Sequence, residues 1–327
     1  MHLMDDKKKL VSDDGRISLQ KFDDQKTNIN KDDILAFCCV RNEHLRLPYF
    51  IEYHRKLGVN RFFIIDNGSD DGTLDFLLAD DQVHVFHTDA SYADSRCGVD
   101  WLNLLLMKFG TDHWSLTLDA DELFIYPECE TKNLRTLVRY LESTGEQAMV
   151  TFMLDMYSSK PIKDSIAKPG QEFIEICDNF DADTYHLLDE NGTPIRGGPR
   201  HRLFWHGKNQ EKPSPVLKKI PFVKWRKDLS YQASTHILQN VQLSELTGAL
   251  QHYKFFSDFY ELAKEEVQRK EHWDGAAQYE TYWSILEKNP NLTAFFSGSV
   301  KYTDSSQLVN LNLMNMPDKY QSFVYID

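Results

Sequence analysis

Apolar positions in this chain arrive in short blocks separated by amphipathic stretches. Ile34 to Val40 reads ILAFCCV, a continuous apolar run of the length expected for a strand buried on both faces. Leu47, Phe50, Ile51 and Leu57 then recur at helical spacing, and Gly58 is placed to stop that helix. A second apolar block, Phe62 to Ile65, runs into Asp66-Asn67-Gly68-Ser69-Asp70-Asp71-Gly72-Thr73, a loop dense in turn formers, with another helix starting near Thr73. Val83 to Phe86 predicts a third strand, Trp101 to Phe109 a helix, and Trp114 to Leu118 a fourth strand that ends at Asp119. The alternation predicts an α/β fold with a mostly parallel central sheet flanked by helices, in which ligands bind beyond the carboxyl ends of the strands. Polar loops at residues 41, 66 and 119 fall at those ends.

Ala148 to Leu154 predicts a further strand, whereas residues 160–221 carry Gly and Pro throughout, and so long a run of loops is unusual unless it has a function. After Leu243 the helical signal returns, with Phe255, Phe259, Leu262, Ala263 and Val267 as one stripe and Tyr279 to Leu286 as a second helix. The expected organisation is a polar tail over residues 1–31, a main domain over 32–255 and a helical C-terminal region over 256–327.

Composition narrows the function classes. A formal net charge of −13 argues against a nucleic-acid or anionic-membrane surface, which needs clustered Lys and Arg; an anionic substrate would need a metal ion or a few placed arginines. No run approaches the roughly 18 consecutive apolar residues of a membrane span, and Met1 to Lys31 has no apolar core of a secretory signal, so the expected compartment is the cytoplasm. Cys38, Cys39, Cys97, Cys129 and Cys177 form no C-x-x-C pair and read as reduced core residues.

The strongest chemical signal is Leu116-Thr117-Leu118-Asp119-Ala120-Asp121-Glu122-Leu123-Phe124, an apolar strand that releases three carboxylates within four residues. Hard cations such as Mn²⁺ and Mg²⁺ take oxygen ligands and commonly bridge carboxylates to substrate phosphates, which suits a nucleoside diphosphate. D-x-D alone recurs by chance as a solvated turn; its place at a strand end is what strengthens it. Asp66 and Asn67 offer an acceptor and a donor where a base or ribose could bind, although an Asx-type helix cap explains the same residues. Arg41, Asn42 and Glu43, at the first strand end, are a weaker signal of the same kind.

Together, CVRNE, YFIEYHRKLGVNRFFIIDNGSDDGT and LTLDADELF resemble glycosyltransferases of family 2 and their relatives with the Rossmann-like A-type fold, over residues 34 to about 160. The resemblance, not the periodicity, implies transfer of a sugar from a nucleotide-sugar donor, expected to be a UDP-sugar, to a saccharide or glycolipid acceptor with inversion. Surface polysaccharide synthesis is the implied setting, with the enzyme cytoplasmic or associated with the inner face of the membrane. It implies that Arg41, Asn42, Glu43, Asp66 and Asn67 hold the nucleotide and that Asp119 and Asp121 hold Mn²⁺ or Mg²⁺. Two later segments, Gly197 to Arg202 and Gly248 to Lys254, are similar to segments of the same branch. The resemblance implies His252 as a further metal ligand, with His236 as its rival, Lys254 at the diphosphate and Arg96 as a donor contact; Arg200 and Arg202, in a Gly-rich loop, are candidates to face diphosphate or acceptor, because guanidinium groups match phosphate oxygens. Asp155 and Glu122 are the candidates for the base that takes the acceptor proton. A nucleotidyltransferase acting on a sugar phosphate and a non-catalytic carbohydrate-binding protein of the same fold are the alternatives. A dehalogenase-like phosphatase is disfavoured, because its D-x-D follows the first strand rather than the fourth.

Overall fold

The computed structural model describes residues 9–23, 27–186, 195–207, 213–232 and 234–326. The N-terminal segment departs from the expected tail: β1 (Lys9–Val11) and β2 (Ser18–Lys21) form an antiparallel hairpin in which Leu10 faces Leu19. Its charge-dense composition hides this one apolar pair, which packs into the core beneath the sheet. Beyond it, β3 (Leu35–Val40), α1 (Leu47–Leu57), β4 (Arg61–Asp66), α2 (Thr73–Leu78), β5 (Val83–His87), α3 (Val99–Leu105) and β6 (Trp114–Thr117) follow the predicted alternation. A wider π turn over Leu106–Gly110 prolongs α3.

The chain continues through β7 (Glu122–Ile125), α4 (Leu134–Thr144) and β8 (Ala148–Asp155). Short strands β9 (Asn179–Asp181), β10 (Tyr185–His186) and β11 (Arg196–Gly197) precede α5 (Gly198–Phe204), and then β12 (Lys218–Lys224) and β13 (Gly248–His252) enter the main sheet. The C-terminal part contains α6 (Phe259–Arg269), α7 (Trp273–Leu286), β14 (Ser299–Lys301), α8 (Ser305–Asn310) and α9 (Asp318–Ile326). The main sheet has ten strands in the order β1-β2-β5-β4-β3-β6-β12-β8-β13-β7. It is parallel through β5-β4-β3-β6 and between β8 and β13, and antiparallel elsewhere, so the parallel block sits inside a mixed sheet.

Period-2 alternation explains how both faces are covered. Ala36, Cys38, Val40, Phe62 and Ile64 face the core that holds Leu47, Phe50 and Leu57 of α1, while Leu35, Phe37, Phe63 and Ile65 face Trp101, Leu102 and Leu105 of α3. Burying each of the Leu, Ile, Val and Phe side chains stabilises the fold by about 1.5–3 kcal/mol. Pro48 opens α1 and Gly58, at φ 117°, closes it as expected. A third apolar cluster joins Phe204 and Trp205 to Phe255, Phe259, Tyr279 and Tyr282, fixing α5, α6 and α7 to one another. The stretch expected to be irregular ends in β12, a full strand that begins at Lys218 inside it and runs past it, with Ile220, Phe222 and Val223 buried in the sheet. Cys38 and Cys177 are buried, the other three cysteines are half-buried, and all five are free thiols. No helix among the described residues is long and apolar enough to cross a membrane.

Candidate functional site

The acidic turn lies between β6 and β7, at the carboxyl end of the parallel block. Pairing then places residues distant in sequence in one row across three strands: His252 lies opposite Glu122 in the antiparallel β13–β7 pair and opposite Asp155 in the parallel β13–β8 pair. The ladder continues one step further, with Tyr253 N donating to the Asp121 carbonyl at 2.8 Å.

Asp121, Glu122 and His252 each offer one ligand atom within 4.8 Å of the others. His252 Nε2 is 3.2 Å from Asp121 Oδ2, and Nδ1 is 2.5 Å from Asp155 Oδ1. Burial penalises the Asp121 carboxylate, but His252, Lys254 and Arg46 outweigh it and hold its pKa well below the ordinary value. Burial likewise opposes charge on His252, yet Asp121 and Asp155 raise its pKa. Glu122 behaves differently. It is fully buried, and burial, reinforced by Asp119 and Asp121, pushes it up to about 7 despite the Lys219 ammonium 2.6 Å away.

Asp119 is drawn elsewhere than expected. Its side chain is 57% exposed and its Oδ2 accepts from Lys219 Nζ at 2.7 Å, so it stands outside the Asp121–Glu122–His252 group. Asp155, a candidate base, is wholly buried, and both of its oxygens are engaged, by His252 and by Arg200 Nε at 2.8 Å. In this arrangement it fixes the orientation of the His252 imidazole. Arg200 therefore faces Asp155 rather than open solvent, and Arg202 pairs with buried Asp181 at 2.9 Å. His236, the rival ligand, contacts the Lys218 carbonyl beside Lys219, and burial with that neighbouring charge lowers its pKa to about 4. It is not part of the three-residue group.

The loops after β3 and β4 are stitched together by their own polar groups. Asn42 N donates to Ser69 Oγ at 2.9 Å, Asn42 Oδ1 accepts from Asp70 N at 2.9 Å, and Glu43 N donates to Thr73 Oγ1 at 2.9 Å. Asn42 thereby ties the two loops together through its backbone N and its Oδ1. Asp66 is also fully buried: burial raises its pKa, but hydrogen bonds from His87 and Ser69 outweigh that and lower it. Asn67 Nδ2 donates to the Thr88 and Ala90 carbonyls, fixing the loop after β5. Glu43 is raised to about 7 by burial, which Arg46 opposes and Asp121 reinforces. Arg46 in turn grips Asp258, at the start of α6, through two bonds of 2.7 and 3.0 Å.

Between these loops and the end of α6 is a polar cleft of about 280 Å³, lined by Arg41, Asn67, Gly68, the Asp89–Tyr92 loop, Arg269 and Glu271. Arg41 is bound to Glu265 of α6 at 2.7 Å, and Glu271 accepts from Ser91 Oγ at 2.8 Å. A chain of contacts links the cleft to the acidic turn: the Tyr92 and His272 rings lie 5.5 Å apart, His272 and Tyr279 4.6 Å, and Lys254 Nζ is 3.4 Å from the Tyr279 hydroxyl and 3.9 Å from Asp121. Arg96, expected beside the donor, is not among the residues that line the cleft; its Nε donates to Asp100 at 2.9 Å, one helical turn along. Lys219, Tyr279 and His272 had no signal in the sequence, because their strand and helix were not paired with the acidic turn until β12, α6 and α7 took their places.

No family model matches this chain, and no curated protein does. Among solved structures it is similar to the crystal structure of 4-diphosphocytidyl-2C-methyl-D-erythritol synthase, at 14% identity and a TM-score of 0.28, with 90% of this chain and 100% of that chain covered.

Proposed function

We propose that the chain is a glycosyltransferase of the A-type fold, which binds a nucleoside-diphosphate sugar, UDP-linked in the first instance, in the cleft and transfers the sugar to a saccharide or glycolipid acceptor. The observation that carries this reading is the convergence of Asp121, Glu122 and His252, with Lys254 beside them, at the carboxyl end of the parallel strands and in contact, through Tyr279 and His272, with a polar cleft.

The donor set suits a hard divalent ion. Asp121 is held ionised, His252 has its Nδ1 fixed by Asp155 so that Nε2 is directed to Asp121, and one carboxylate and one imidazole leave room for water and phosphate oxygens. Asp121 and His252 would hold Mn²⁺ or Mg²⁺, which when bound supplies charge stabilisation to the departing diphosphate. Lys254 adds a fixed cation at the same place, and such preorganised charge is the largest rate term in many enzymes. In the transfer itself, the acceptor oxygen forms the new bond to the anomeric carbon, the bond from that carbon to the diphosphate oxygen breaks, and a base takes the acceptor proton. Arg41, Asn67 and the Asp89–Tyr92 loop would surround the nucleoside.

Calorimetric titration with UDP, with GDP and with the nucleoside triphosphates, each with and without Mn²⁺, tests the reading. Manganese-dependent binding of one diphosphate supports it. Binding of a nucleoside triphosphate in preference to either would move the assignment to nucleotidyl transfer.

A further inference from the structure

Lys219 is a lysine buried inside the acidic turn. Its side chain is 5% exposed, and Nζ lies 2.7 Å from Asp119 Oδ2 and 2.6 Å from Glu122 Oε1. The second Glu122 oxygen accepts from Asp119 N at 3.2 Å, so both oxygens of that carboxylate are engaged. The placement has a structural cause: β12 runs antiparallel between β6 and β8, and its register with β8 shifts between Lys219 and Phe222. Such bulges re-aim a side chain.

We propose that Lys219 is a resident counter-ion that claims Asp119 and Glu122, so that an incoming divalent ion is left with Asp121 and His252. This rests on the reading of the turn as a divalent-ion site. Two of the three carboxylates released by the motif are engaged by one ammonium, which offsets one of their charges, lowers the field that draws in a cation and keeps the turn folded before any ion arrives. The motif offers Asp119 and Asp121 to the ion as a pair; Lys219 divides that pair. Removing its charge should therefore strengthen ion binding, the opposite of what damage to the site would do.

The experiment is calorimetric titration of the full chain with Mn²⁺ alone, without nucleotide, comparing the wild type with Lys219→Met, Glu122→Gln and Asp121→Asn. The expected result is Mn²⁺ binding about tenfold tighter in Lys219→Met, a change of the size that outer groups impose on metal affinity, with Glu122→Gln weakened far less than Asp121→Asn, which loses binding. Unchanged or weaker binding in folded Lys219→Met overturns the proposal, as does absence of Mn²⁺ binding in every folded protein of the set. Where Lys219→Met does not fold, Glu122→Gln decides: binding that persists and is weakened less than in Asp121→Asn supports the proposal, and a loss equal to that of Asp121→Asn overturns it. A protein that passes this test but binds no nucleotide would sink the transferase reading alone.

Discussion

His252 and Asp155 face each other in the parallel pairing of β13 and β8, and their side chains share a 2.5 Å hydrogen bond that turns the other ring nitrogen toward Asp121. The ring is thus fixed before any ion binds. Asp155→Asn should lower stability, since it also uncouples Arg200, and in the folded protein lower Mn²⁺ affinity about 10–100-fold, because the amide no longer holds the imidazole as the carboxylate does. Calorimetry with circular dichroism checks both halves; equal affinity in a folded variant would mean that Asp155 does not orient His252.

Arg200 is the other partner of Asp155, and both groups are almost wholly buried. Arg200→Met leaves a carboxylate in the interior with only His252 beside it, and breaking such a pair costs about 3–5 kcal/mol. Urea unfolding should show the midpoint falling with the slope preserved. A loss below about 1 kcal/mol, the range of an exposed pair, would contradict the assignment.

His54 gives a pH signature away from the site. Its ring is fully buried on α1, with Nδ1 2.9 Å from the Phe50 carbonyl and Nε2 accepting from Phe124 N at 3.3 Å, and burial lowers its pKa to about 3, from an ordinary value of 6.5. The unfolded chain binds the proton first, so the stability contributed by neutral His54 is present above the unfolded pKa and is lost as pH falls towards 3. Between those values the slope from this group is about 1.4 kcal/mol per pH unit. The unfolding free energy of the wild type minus that of His54→Gln should shrink from pH 7 to pH 4; a difference independent of pH would refute the account.

Gly98 stands at φ 77° just before α3, where an added Cβ would lie 2.9 Å from the Tyr92 ring and 3.3 Å from Cys39 Sγ. Gly98→Ala combines a left-handed backbone with overpacking, and should cost about 1–3 kcal/mol. Thermal unfolding measures it. An unaltered midpoint would show that the Tyr92 loop yields freely.

Much of the first half of the fold was legible because local pattern decides it. Continuous apolar blocks such as Leu35–Val40 and the Leu47–Leu57 stripe state strand and helix directly, and α1 ends at Gly58 as read. Residues 9–21 were hidden because one Leu10–Leu19 pair in charged surroundings has no periodicity, and β12 because Pro221 and flanking lysines mask a buried strand. At the site, the acidic turn and the His252–Lys254 segment were visible as motifs, and the structure brings them together. The division of labour among their carboxylates was not visible. Asp119 and Glu122 look equivalent to Asp121 until β12 delivers Lys219, and Asp155 looks like a free base until β13 sets His252 beside it.

The central claim is that Asp121 belongs to a metal-dependent nucleotide site, and the most direct measurement is calorimetric titration of UDP into the wild type and Asp121→Ala, with and without Mn²⁺. The account predicts manganese-dependent binding by the wild type and none by the folded variant. Undiminished manganese-dependent binding by folded Asp121→Ala would contradict it.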